Sequence, residues 1–248
     1  MKKILTLLAL VLSTTIFAAE PERNAKLHAL FDEEWQLRLK ENPLFATNVG
    51  VHTYDDKLPS VTQKDWERRA QLDKQFLNRL HEIDRTTLNN TDRVSYELFE
   101  IQLQDDLSEF DFRTYLIPWT ADSGFHTEFS RLSKQVPLNT VKDYENYIAR
   151  LNAFPAYVGQ YIELLREAIK VGMTLPAVVL EGYEVSMSTH VVDDPTKSVF
   201  YPPFATFPVT VSSSEHERLR KAGTAAIQNG VVPGYKTLLD FFVKEYRP

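Results

Sequence analysis

The chain has 248 residues with no cysteine, eight glycines, 43% hydrophobic and 25% charged side chains, and a formal charge of −6. The missing thiols exclude disulfides, cysteine-ligated zinc, iron–sulfur clusters and thiol nucleophiles, and the scarcity of glycine argues against a turn-dense β-sandwich or a collagen. The acidic balance disfavours a sequence-independent nucleic-acid binder, which neutralises phosphates with basic patches, while the apolar content is that of a chain able to bury a core.

Lys2 and Lys3 make a positive start, Ile4 to Leu12 is an apolar run broken only by Thr6, and Ser13 to Ala19 turns small and polar. This is the three-part pattern of a secretory signal. It is expected to be cleaved after Ala18 or Ala19, which makes residues 1–18 a signal peptide and 19–248 a helical domain. The run is shorter than the ~20 residues of a spanning helix, and no cysteine follows it to carry a lipid. Removing Lys2 and Lys3 takes 28 basic side chains to 26 against 34 acidic ones, a charge of −8. The expected address is the periplasm or the medium, with no membrane association after cleavage.

The mature chain has helical periodicity nearly throughout. Ala25 to Lys40 places Leu27, Leu30, Phe31, Trp35 and Leu39 on one face and stops before Asn42-Pro43. Asn42 to Ser60 has turn chemistry without a sustained period and is predicted to be a long loop. Thr62 with Asp65 caps a helix to about Ile83, with Trp66, Ala70, Phe76, Leu77 and Leu80 inward. Asn90-Thr91-Asp92 opens another, striped by Tyr96, Phe99, Leu103, Leu107 and Phe110. Between Asp111 and Asn139 only a short helix around Glu128 to Lys134 is expected.

Thr140-x-x-Asp143 starts the next helix, and Pro155 suits the first turn of a further one that Gly172 stops. Pro176 is predicted to begin a helix to about His190, whereas Pro195, Pro202, Pro203 and Pro208 bar helix from Asp193 to Val211. Ser214-Glu215-His216-Glu217 reads as a capping box for a helix to about Asn229 that Gly230 ends. Tyr235, Leu238, Leu239, Phe242 and Tyr246 mark the last helix, and with Phe241 and Val243 they cover most of its circumference. Strand-like alternation is almost absent. The fold class is all-α, a single domain of antiparallel helices with long Pro-rich connections and no significant sheet.

Motifs that carry chemistry are sparse. His81-Glu82 and His216-Glu217 each begin like the helical zinc motif H-E-x-x-H, which needs a second histidine one turn on; the fifth positions are Arg85 and Arg220, which cannot ligate a metal. His52 and His126 fall in predicted loops. The acidic pairs Asp55-Asp56, Asp105-Asp106 and Asp193-Asp194 lack the pattern of a calcium loop. No nucleophile elbow, Walker loop or dinucleotide fingerprint occurs. No catalytic, cofactor-binding or metal residue is therefore assigned. Val199 to Pro208 holds four aromatics and three prolines. Its Phe200, Tyr201 and Phe204 are either a strap packed over helix ends or the lining of a peptide or sugar cleft.

Several segments carry a resemblance. They are Leu30 to Trp35, Asn42-Pro43 through Ala46-Thr47 and Gly50, Asp92-Arg93 with Tyr96, and Tyr144 to Pro155. Gly172 to Pro176, Phe200 to Phe204, and Val232-Pro233-Gly234-Tyr235 to Tyr246 complete the series. In this order the chain resembles the N-terminal half of the bacterial domain of unknown function 885 family, helical proteins similar to gluzincin-type zinc metallopeptidases. In that family the H-E-x-x-H motif and the later glutamate ligand lie in the C-terminal half, so the resemblance implies zinc only in complete relatives and none in this chain. It further implies an exported N-terminal fragment, inactive alone, whose partner is a missing or separately encoded C-terminal half. A stand-alone periplasmic binding or interaction module, or one half of a split zinc peptidase, is the alternative, and peptides are a further expected partner. A fragment should leave the last helix uncovered by the rest of the chain.

Overall fold

The computed structural model describes residues 22–247; the expected signal peptide and its cleavage point lie outside them. Three long helices build the N-terminal part, and each starts on an oxygen-bearing cap. The Asn24 side chain accepts from the amide of Leu27 to open α1 (Ala25–Glu41), Thr62 from Asp65 to open α3 (Gln63–His81), and Asn89 from Asp92 to open α4 (Asn90–Asp111). Each cap satisfies a first-turn N–H that the helix itself cannot. His81 reaches Glu100 and Arg85 reaches Glu97, so α3 and α4 run antiparallel. Leu27, Leu30, Phe76, Leu80, Tyr96, Phe99 and Leu103 close a small core between the three helices. Trp35, expected inward, is 39% exposed and packs edge-on against Phe45.

Residues 42–60 are not the predicted loop. Asn42 caps and Pro43 opens α2 (Pro43–Asn48), and a tight turn follows at His52–Tyr54. The Asn-Pro pair is a cap and first-position signature in its own right, but six residues are too few to show a period. The segment is fixed from outside by Arg150, whose Nε donates to the Lys57 carbonyl and whose Nη2 donates to Pro43 O, Tyr54 O and Thr47 Oγ1.

The larger core is organised by α6 (Val141–Val171), one helix that runs straight through Pro155, where the sequence suggested a fresh start. Thr140 and Asp143 form a capping box at the expected start, and Gly172 ends the helix at φ 75°, a conformation costly for any residue with a Cβ. Alongside lies a C-terminal rod of α9 (Ser213–Ala226), a wide turn at Ile227–Val231, α10 (Val232–Phe241) and a second wide turn at Phe242–Tyr246. Gly230, expected to end a helix, sits inside this rod. The N-cap is Ser212, not Ser214.

Glycine at position 230 has a packing cause. Pro155 has no N–H to offer the Leu151 carbonyl, and the rod approaches there so closely that a Cβ on Gly230 would lie 2.7 Å from that oxygen. A Cβ on Gly234 would likewise lie 2.6 Å from Phe154. Glu145 pairs with Arg218 and Glu245 with Arg166, so α6 and the rod run parallel rather than antiparallel. The long crossover between them makes this possible.

That crossover holds short pieces. The helix predicted from Pro176 to His190 reduces to a tight turn at Ala177–Leu180 and to α7 (Val185–Ser188), separated by Gly182 at φ 73°. Asp193 to Val211, predicted to lack helix, contains a turn at Pro195–Lys197 and the four-residue α8 (Pro202–Ala205). Both prolines of α8 fall in the first turn, where no amide donor is needed. The short helix expected near Glu128 begins earlier, as α5 (Phe125–Phe129), and is followed by a turn at Leu132–Lys134. Among the described residues there is no strand, only an isolated bridge between Trp119 and Gly124. No described helix is long and apolar enough to cross a membrane.

The last helix is covered by the chain itself, against expectation. Leu238, Phe241, Phe242 and Tyr246 are buried and Leu239 is partly buried against the same core. Trp119 and Tyr183 pack on its Phe242 and supply cover that the sequence could not locate. Val243 alone of that stretch's large apolar side chains is exposed, and α4 carries three others, Val94, Leu98 and Ile101, at 56%, 63% and 53%.

Candidate functional site

Phe200 and Phe204 are core residues with 0% exposure, and Tyr201 is half-buried beside them. The Phe200 carbonyl accepts from the Tyr147 hydroxyl, the Pro203 carbonyl accepts from Tyr144, and Phe204 fills the space that a side chain at Gly223 would need. None of the three lines the 670 Å³ cleft between α1, α3, α4, α5 and α6. The segment is a strap, locked by two buried phenols, and the cleft is elsewhere.

The histidines stay apart as well. His81 and His216 sit on different helices, the first bonded to Glu100 Oε1 at 2.7 Å and the second bonded to the Val211 carbonyl and stacked on Phe207. His52 pairs with Asp55 on the Arg150-bound segment. His126 is wholly buried, with Nε2 2.9 Å from Ser186 Oγ. Ser186 gives its only proton to the Tyr183 carbonyl at 2.7 Å, so His126 Nε2 donates to the serine and Nδ1 is left bare. Burial, then neighbouring His190, lowers the His126 pKa to about 4. A nucleophilic serine needs the opposite proton arrangement, with imidazole accepting, so this pair is structural. Among the described residues no three His, Asp or Glu side chains are placed to hold a metal. The acidic pairs are separated too: Asp55 is buried with Thr47 and His52, and Asp194 caps its own turn.

The cleft lies between the two cores and has a volume of 670 Å³. Its floor is contributed by α1, α3 and α4, and its far wall by α5 and α6. One side is an aromatic stack in which Trp66 lies on Tyr115 (5.3 Å, 16°) and Tyr115 on Phe110 (5.8 Å, 19°). Also lining the cleft, Phe125 and Tyr161 stack at 3.8 Å, and Tyr157 bonds Tyr161 through their hydroxyls. Burial raises both phenols, which are therefore neutral hydrogen-bonding groups. The guanidinium of Arg69 covers the Trp66 face at 4.8 Å. Trp66 Nε1 is buried without an acceptor.

Charged side chains line the floor. Arg38 donates to Glu34 at 2.7 Å and to Asp106 at 3.2 Å, and Arg69 donates to Glu41 at 3.1 Å. Asp73 has no hydrogen bond or ion pair among the described residues. Burial foremost, with Asp106 and Glu34 nearby, raises its carboxyl to about 6, against the lesser pull of Arg38 and Arg69. Sequence reading passed over these groups. The signal was present: Asp73 occupies the inward stripe of α3 between Ala70 and Phe76, and Glu34 is a buried carboxylate four residues after Leu30 on α1. An acid on an apolar face needs a partner or a purpose.

No curated protein matches the sequence. The crystal structure of "the putative lipoprotein from Colwellia psychrerythraea" has a similar fold, with a TM-score of 0.76 at 16% identity. The match covers 87% of this chain and 40% of that one, so this chain spans less than half the length of its structural neighbour. Residues 43–248 match the family described as "Bacterial protein of unknown function (DUF885)", and the chain belongs to that family.

Proposed function

We propose that this chain is the substrate-receiving helical part of an exported, zinc-metallopeptidase-like protein, and that its cleft takes peptide. The observation that carries the reading is the cleft itself: a 670 Å³ space with stacked aromatic walls and a charged floor, formed between two packed cores. Such walls supply contact area to an extended chain at little entropic cost. The described residues do not fit a zinc ion, because no three ligating side chains converge and the two His-Glu pairs are committed elsewhere. The zinc, its ligands and the catalytic glutamate are assigned to a C-terminal part carried on the same or a separate chain. Export is supported by the leader pattern of residues 1–18, and the neighbouring structure's description as a lipoprotein agrees with it.

A second reading, a stand-alone periplasmic binding module, is favoured by the covered last helix. Purified chain tests the common core of both. It should bind short aromatic peptides with a change in tryptophan fluorescence that Trp66→Phe removes, without cleaving them and without stoichiometric zinc by elemental analysis. Absence of any peptide response, or one zinc per chain, refutes the reading. An H-E-x-x-H frame in the DNA downstream of Pro248 supports the first form; its absence supports the second.

A further inference from the structure

The floor of the cleft carries more negative charge than its own cations neutralise. Glu34 of α1, Asp73 of α3 and Asp106 of α4 surround the single guanidinium of Arg38. Arg38 spends its bonds on Glu34 and Asp106. The next cation, Arg69, is held by Glu41 and by the Ser60 carbonyl. Asp73 is left as a carboxylate without a partner on an apolar stripe, beside a cleft with room for a ligand. A free metal ion is a poor complement, since Arg38 already bridges two of the three acids and no metal-holding trio exists among the described residues.

An organic cation on an apolar stem fits better. Its head would meet Asp73, and its apolar stem would lie along the edge of the Trp66–Tyr115–Phe110 stack. We propose that the cleft selects peptides carrying a lysine or arginine side chain, with Asp73 as the residue that pairs with the basic head. The inference rests on the cleft being a peptide site and names the class of peptide.

The test is titration calorimetry at pH 7.5 with acetyl-Phe-Arg-Phe-amide and its citrulline counterpart, which keeps the shape and loses the charge. The arginine peptide should bind at least about tenfold more tightly, the effect of one part-buried charge pair. Asp73→Asn should abolish that preference by weakening the arginine peptide far more than the citrulline peptide. The preference should also fade as the pH falls through 6, where Asp73 takes up a proton in the field of Glu34, Arg38, Arg69 and Asp106. Equal affinity for the two peptides in the native protein, or a preference that survives Asp73→Asn, overturns the inference and leaves the cleft reading standing. Failure of both peptides to bind overturns the two together. Asp73→Asn removes an unpaired charge, so loss of fold does not confound it; an unchanged circular dichroism spectrum checks this.

Discussion

Replacing Arg150 by methionine tests the residue on which one edge of the cleft depends. Its side chain is wholly buried yet holds a segment about a hundred positions earlier, through 2.8 Å to Lys57 O, 3.1 Å to Pro43 O, 3.2 Å to Tyr54 O and 2.7 Å to Thr47 Oγ1. Thr47 passes its own proton to Asp55, whose carboxylate lies 3.9 Å from the guanidinium. Methionine fills similar volume but takes the guanidinium donor from three carbonyls and the counter-charge from buried Asp55. Breaking such a pair from one side costs about 3–5 kcal/mol. That is roughly a third of the ~5–15 kcal/mol that holds a typical protein folded. At ~2–4 °C per kcal/mol for a chain of this size, the midpoint should fall by about 6–20 °C.

Arg150→Lys keeps the charge but cannot span carbonyls set around a planar fork, and should lie between the two. Thermal and urea unfolding followed by circular dichroism measure all three proteins. Because Asn42 and Leu44 line the cleft next to the anchored segment, peptide affinity should drop as well. A midpoint for Arg150→Met within about 2 °C of the native protein, less than 1 kcal/mol by the same scale, would show that the buried network contributes nothing net and that the argument is wrong.

Two glycines of the helical pair should respond to alanine with opposite signs. Gly159→Ala adds a Cβ in open space within α6 and should stabilise by about 1 kcal/mol through helix propensity, while Gly230→Ala drives a Cβ onto the Leu151 oxygen and should cost about 1–3 kcal/mol. Equal midpoints for the two variants would refute the close approach of α6 and the rod. His126 keeps a lowered pKa of about 4 in the fold, so the unfolded chain takes the proton first; stability should decline by up to about 3 kcal/mol as pH falls from 6.5 to 4, and His126→Gln should flatten that slope in midpoint-against-pH measurements. Asp73 has the opposite sign. Its raised pKa makes the fold lose stability as pH rises from 3.8 to 6, so Asp73→Asn should stabilise at pH 7 by about 1 kcal/mol once solvent screening is allowed for. A destabilised Asp73→Asn would mean that the carboxylate has a partner after all.

The cleft arises because two hydrophobic cores meet along faces that are only partly apolar. α1, α3 and α4 bury Leu27, Leu80 and Leu103 among themselves and turn Glu34, Arg38, Asp73 and Asp106 toward α5 and α6. Packing alone does not require those charges. Their presence between cores is the reason the site, rather than the Pro-rich strap, carries the functional reading.

The sequence by itself determined the class of the fold and most of its punctuation. The caps at Thr62 and Thr140, the stop at Gly172 and the stripes of α3 and α4 are local effects of hydrogen bonding and periodicity, decided within one or two helical turns. It failed where a distant partner overrides a local rule. Pro155 looks like a beginning and Gly230 like an end, yet each lies inside a helix, because the parallel packing of α6 on the rod needs a bare carbonyl on one side and no Cβ on the other. The helix at Pro43–Asn48 and the turn at His52–Tyr54 are held in place by Arg150, and no window of sequence around residue 43 contains residue 150. The cover on the last helix and the floor of the cleft were decided in the same way. Which acid stands next to which cation depends on how helices are brought together, and only the tertiary structure places Asp73 in the cleft with no hydrogen bond or ion pair among the described residues.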